Sequence, residues 1–142
     1  MSANAKMQLE ASIDLIQARL NEAQRIAGIG NWDWNILTNE LWWSDEIYRM
    51  FQIDPQISAA TYEAFLDRVH PEDRQTVNDA VDLALGNEIP YSIDHRIVLP
   101  DGTQKVVHER AEVTFDEHDR PIRLAGTVQD ITQRVDAEYE LR

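Results

Sequence analysis

An α+β fold, with a five-stranded antiparallel sheet, helices on one face and an amphipathic helix at each end, is predicted by three observations in this 142-residue sequence. Residues 91–132 read as three strands joined by two turns and running straight into a helix start. Residues 31–43 read as two more strands. Between these blocks, three segments carry apolar residues at helical spacing behind capping residues.

The elements follow in chain order. Residues 6–27 place Leu9, Ile13, Ile16, Leu20, Ala23 and Ala27 at alternating steps of four and three, a heptad seam with Glu10, Asp14, Gln17, Arg19, Glu22 and Arg25 off it. The spacing fits a parallel coiled-coil pair of two copies, with Leu9, Ile13, Ile16 and Leu20 at the interface. It also fits a helix laid on its own domain. Gly28 and Gly30 end that helix, and Trp32 and Trp34 then alternate with Asn31, Asp33 and Asn35, so both indoles share one face of a strand over residues 31–37. Thr38-Asn39-Glu40 turns the chain into a short strand, Leu41-Trp42-Trp43.

Ser44 is placed to cap a helix whose first turn holds Asp45 and Glu46, with Ile47, Met50 and Phe51 on its apolar side. Thr61 caps a second helix bearing Tyr62, Phe65 and Leu66. His70-Pro71-Glu72-Asp73 begins a third, whose buried side is Val77, Ala80, Val81, Ala84 and Leu85 and whose end is Gly86. Residues 91–99, 106–115 and 122–128 are the remaining strands, turning at Pro100-Asp101-Gly102 and again over residues 116–119. At Asp130-Ile131-Thr132 the period changes, and Asp130 is expected to cap the last helix together with Gln133.

The register of the first hairpin decides what the histidines can do. A three-residue loop of Pro100, Asp101 and Gly102 sets Ile97 against Lys105. It gathers the apolar side chains on one face, with Glu109 as the one awkward inward member. His95 then faces inward with Ile93 and Ile97, able to bond a ligand or a neighbouring side chain, and His108 faces outward. The two cannot converge on one metal ion, so no metal site is expected. His108-Glu109-Arg110 is similar to the phosphoacceptor motif of sensor kinases, but that histidine sits on a helix and this one on a strand. No nucleophile has an evident base beside it, and no glycine loop cradles phosphate, so the chain is not expected to be an enzyme.

Composition narrows the function classes further. A net charge of -13 disfavours nucleic acid and anionic lipid as partners. No apolar run approaches the ~20 residues of a membrane helix, and the expectation is a soluble, cytoplasmic chain with no membrane contact. The absence of cysteine excludes disulfides, thiolate metal sites, and flavin or other chromophores attached through a thioether.

With these motifs in order, the sequence resembles a PAS domain over roughly residues 20–135. The matching segments are Gly30-Asn31-Trp32-Asp33-Trp34-Asn35, Trp43-Ser44-Asp45-Glu46, Val69-His70-Pro71-Glu72-Asp73-Arg74, Arg96-Ile97-Val98-Leu99-Pro100-Asp101-Gly102 and Gly126-Thr127-Val128-Gln129-Asp130-Ile131-Thr132. The resemblance implies a small pocket between sheet and helices, for which Trp32, Trp34, His95, Ile97, Val107 and Val128 are the lining candidates. It implies that Asp130 and Thr132 couple the last strand to an output helix. It divides the chain into an N-terminal helix, 1–27, a core, 28–130, and the start of an output helix, 131–142.

What the family does is the expectation for this chain: a sensor or relay domain from a histidine kinase or diguanylate cyclase, with a fused output domain, a homodimer through the N-terminal helix and a small-molecule ligand as candidate partners. A ligand-independent assembly module with a packed core is the alternative. Haem-binding members ligate iron from the long helix, where this chain has no histidine, so haem is disfavoured and any cofactor is unassigned.

Overall fold

A computed structural model describes residues 2–140. Met1 and residues 141 and 142, the last of the expected output helix, lie outside the described residues. The first helix, α1 (Ala3–Ala27), starts where the Ser2 hydroxyl accepts a hydrogen bond from the Ala5 amide at 3.1 Å. It stops at Gly28, whose φ of 67° turns its N–H back onto the carbonyls of Gln24 and Arg25. Along its 25 residues none is buried. Leu9, Ile13, Ile16 and Leu20 are all about half exposed or more, and only the last turns touch the domain, where Asn21 donates to Asp45 at 3.0 Å and Gln24 to Asn31 at 2.7 Å.

The sheet comprises β1 (Ile29–Asn35), β2 (Glu40–Trp43), β3 (Tyr91–Val98), β4 (Gln104–Phe115) and β5 (Pro121–Asp130), in the spatial order β2-β1-β5-β4-β3 with every pair antiparallel. Between β2 and β3, at opposite edges, the chain crosses one face as α2 (Asp45–Phe51), α3 (Tyr62–Arg68), a 3-10 turn (Pro71–Asp73) and α4 (Arg74–Leu85). It leaves through α5 (Thr132–Glu140). This is the α+β arrangement the sequence predicts.

Register follows the three-residue loop: Tyr91 faces Ala111 and Ile97 faces Lys105, and the Leu99 amide reaches the Thr103 carbonyl across the turn at 2.9 Å. The inward side of the sheet therefore carries Trp32, Tyr91, Ile97, Val107, Leu124 and Val128, all buried against Ile47, Phe51 and Val81 of the helices. Each large side chain so buried stabilises the fold by about 2 kcal/mol.

Three local expectations need correction. The first strand ends at Asn35 rather than residue 37, because the Asn35 side chain accepts hydrogen bonds from the Leu37 and Thr38 amides and closes a turn. Ser44 occupies the N-cap of α2, but its hydroxyl accepts from the Asn31 amide at 3.0 Å and so ties helix to strand instead of capping. The helix expected from His70 begins as a 3-10 turn, with His70 Nδ1 accepting from the Glu72 amide; α4 proper starts at Arg74. That turn is anchored to β3 by Arg96, whose guanidinium bonds both Asp73 oxygens at 2.8 and 3.0 Å.

In the pairing of β4 with β5, Gly126 faces Ala111. A β-carbon there would collide with the Arg110 carbonyl oxygen and lie 2.7 Å from the Ala111 Cα, and neither is a flexible side-chain end. Gly126→Ala is expected to lower unfolding stability by about 3 kcal/mol in urea titration, against near-neutrality for an alanine at Gly86, whose φ is -79° and where a β-carbon would meet nothing closer than 3.5 Å.

Candidate functional site

Inward parity along the strands supplies one wall of a cavity, and the helices that cross the sheet supply the other. The free space between them is about 40 Å³, bordered by Trp32, Trp34, Leu41, Trp43, Ile47, Phe51, Tyr62, Phe65, Val81, Tyr91, Glu109, Leu124 and Val128. A dry apolar cavity that takes up benzene measures about 150 Å³. Flavin and haem are larger still, and the aromatic side chains from β1, β2, α2 and α3 occupy the volume either would need. The residues present do not fit those groups.

Of the six lining candidates, Trp32, Trp34 and Val128 border this space, whereas His95, Ile97 and Val107 do not. The reason is packing beyond the sheet. Phe65 stands edge-on to the His95 ring with centroids 5.6 Å apart, and Val69 forms an antiparallel bridge with Ile97, closing that end of the inward face. Trp43, Phe51 and Tyr62 are lining residues that strand parity alone did not single out. Their shared sequence signal is aromatic residues at the inward or apolar positions of adjacent elements.

Glu109, the awkward inward residue, meets His95. The two sit diagonally on neighbouring strands, and His95 Nε2 lies 2.5 Å from Glu109 Oε2 with both side chains almost wholly buried. His95 Nδ1 is 3.2 Å from the Arg96 carbonyl oxygen, which only accepts, so Nδ1 carries a hydrogen. Tyr91 donates its hydroxyl to the same Glu109 oxygen at 3.3 Å, and burial together with Glu109 raises the tyrosine pKa strongly. Tyr62, pushed up to about 12 chiefly by burial, donates to Asn78 at 2.5 Å. On the opposite face, His108 pairs with Asp94 at 2.7 Å, so the two histidines are separated by the sheet.

At the end of β5, the expected pairing of Asp130 with Gln133 is replaced by a shorter turn. Asp130 Oδ1 accepts from the Thr132 amide at 3.0 Å and from the Thr132 hydroxyl at 2.6 Å. The Thr132 Oγ1 accepts from the Val106 amide at 3.0 Å, and the Ile131 amide donates to the Val106 carbonyl at 2.9 Å, which fastens the start of α5 to β4. The Asp130 amide donates to the Gly28 carbonyl at 2.9 Å. Four segments, the end of α1, β4, β5 and the start of α5, thus meet around two residues.

A family profile described as PAS fold matches residues 40–128. Among curated proteins, the chain is 33% identical over 120 residues to a blue-light-activated histidine kinase of Brucella ovis, which covers 84% of this chain and 24% of that protein. It is 29% identical over 115 residues to the sensor protein FixL of Bradyrhizobium diazoefficiens, covering 81% of this chain and 23% of that protein. It is 25% identical over 118 residues to the probable diguanylate cyclase DgcE of Escherichia coli, covering 83% of this chain and 10% of that protein. The chain therefore spans between a tenth and a quarter of these relatives. Among solved structures, a sensory box histidine kinase/response regulator from Burkholderia thailandensis superposes with a TM-score of 0.71 at 25% identity, over 87% of this chain and 92% of that one. The N-terminal domain of a diguanylate cyclase with PAS/PAC sensor from Marinobacter aquaeolei has a TM-score of 0.65 at 24% identity, over 75% and 97% of the respective chains, and shows the same fold.

Burial alone would lower the His95 pKa, but the hydrogen bond and charge of Glu109 outweigh it and hold the value above the ordinary 6.5. A raised folded-state value stabilises the fold fully below 6.5 and ceases to do so as pH rises through the folded-state pKa. Thermal melts of the native protein should accordingly fall as pH rises from 6.5 upward. Glu109→Gln should cost about 3 kcal/mol below that pH and flatten the slope; an unchanged slope in the variant would detach it from this pair.

Proposed function

The chain belongs to the PAS family, and from that premise we propose that it is a cytoplasmic sensor or relay domain of a longer signalling protein of the histidine kinase or diguanylate cyclase type. In this reading the chain is not itself catalytic and passes the state of its cavity or its dimer to an output domain through α5. The observation that carries the reading is the junction at Asp130 and Thr132. Val128 borders the cavity and Asp130 has the same strand parity two residues on, roughly 7 Å along β5. A displacement of that strand reaches the Thr132 turn directly, and with it the origin of α5 and the Gly28 cap of α1.

The second component of the reading is a homodimer formed through α1. A helix standing off its domain with no buried residue is poorly stabilised by its own domain, since most helical stability in water comes from packing an apolar face. Leu9, Ile13, Ile16 and Leu20 present a two-in-seven stripe to solvent, the spacing that suits a second identical helix. The alternative of an assembly module that works without a ligand is favoured by one observation, the small volume of the cavity.

Two measurements test the proposal. Light scattering should give a dimer for the native chain and a monomer for Ile16→Glu, with the core's melting transition retained because Ile16 is 65% exposed in the single chain. A native chain that is monomeric at high micromolar concentration removes the dimer. Thr132→Val should raise amide hydrogen exchange at Val106 and along the first turn of α5 while lowering stability by about 1–2 kcal/mol. If exchange at α5 is unmoved, the junction does not hold the output helix.

A further inference from the structure

Two of the residues that border the cavity carry polar groups that an apolar core does not account for. The Trp32 indole N–H is fully buried and has no hydrogen-bond partner among the described residues, although the ring borders the cavity. Glu109 borders the same space and commits only one oxygen, Oε2, to Tyr91 and His95; its Oε1 makes no hydrogen bond among the described residues. Buried donors and acceptors in native interiors are matched by protein, ordered water or a ligand. Here Trp32 supplies a buried donor without a partner and Glu109 an oxygen without a hydrogen bond, on residues that border one cavity.

Charge and size define what fits between them. With Nδ1 of His95 bonded to the Arg96 carbonyl, one further proton lies between Nε2 and Glu109 Oε2. Imidazolium with carboxylate, or imidazole with carboxylic acid, is neutral overall, so the pair offers no net charge to attract an ion. The rest of the lining is aromatic and aliphatic, and about 40 Å³ admits a few atoms before side chains must yield.

We propose that this cavity recognises a small neutral molecule with an apolar body and an adjacent acceptor and donor at one end, the chemistry shared by primary amides and short alcohols. The acceptor takes the Trp32 Nε1 hydrogen and the donor bonds Glu109 Oε1; water holds the same two groups when no such molecule is present. The inference rests on the reading of the cavity as the domain's sensing site and gives that site a ligand class.

The test uses four probes of nearly equal size, titrated into the native chain and followed by the methyl resonances of Ile47, Leu124 and Val128 and by the Trp32 indole N–H signal. Acetamide and isopropanol carry the full donor and acceptor set, acetone lacks the donor, and acetate adds a negative charge. Affinities for so few atoms fall in the millimolar range. Acetamide or isopropanol should shift these resonances saturably, with acetone and acetate at least fivefold weaker. Trp32→Phe, which keeps a ring and removes the N–H, should weaken the binding probe about tenfold by the methyl signals. Acetone binding as well as acetamide would overturn the proposal and leave a merely apolar hole. Silence from all four probes would overturn it and leave a cavity that holds water alone. Light scattering of the same samples keeps the two readings apart: a dimer that persists while every probe fails leaves the relay domain standing without this ligand class.

Discussion

The pairing of β3 with β4 is the constraint from which the rest of the interior follows. Side chains alternate across a strand, so one residue of slippage would turn Glu109 outward, bring His108 in and leave His95 inside without a carboxylate. The three-residue loop at Pro100, Asp101 and Gly102 fixes the offset, with Gly102 at a φ of 88° that ordinary residues avoid. With that offset, the one acidic residue on the inward face stands diagonally across from the one inward histidine. Two groups that would each be costly inside become a hydrogen-bonded pair.

Much of this was legible in the sequence, and the boundary of legibility has a physical cause. Period-two alternation decides which way a strand residue points, so the inward set of Trp32, Trp34, His95, Ile97, Val107 and Val128 followed from pattern and register. It does not decide which inward residues border empty space, because that depends on what the crossing helices lay over them. Phe65 and Val69 come from segments whose placement is tertiary, and they are what separates His95 and Ile97 from the cavity. Ser44 and Asp130 show the same limit on a smaller scale. Both residues were identified as polar groups near helix starts, but their partners, the Asn31 amide and Thr132, depend on which donor the folded chain brings closer than a helix amide.

The two polar centres of the domain are built on different principles. Around His95 and Glu109 the bonds are few and buried, where low dielectric makes each interaction strong and each unmatched atom costly. Around Asp130 and Thr132 the bonds are mostly to backbone, partly exposed, and spread over four chain segments, with Lys105 3.6 Å from the second Asp130 oxygen. The first arrangement is suited to holding one geometry firmly. The second tolerates small rearrangement, because water can replace a broken bond at little cost.

The contact between the Gly28 carbonyl and the Asp130 amide has a topological consequence. It puts the points where the chain enters and leaves the core 2.9 Å apart at their backbones, although about a hundred residues intervene. Seen from the helices, the whole sheet-and-helix body is a side branch on a nearly closed ring of chain. A body attached in this way can be grafted into, or deleted from, a helical shaft while barely changing the distance between the two halves. What the insertion alters is phase, the angle at which the departing helix sets out relative to the arriving one, and that angle is held by a handful of hydrogen bonds at a single point.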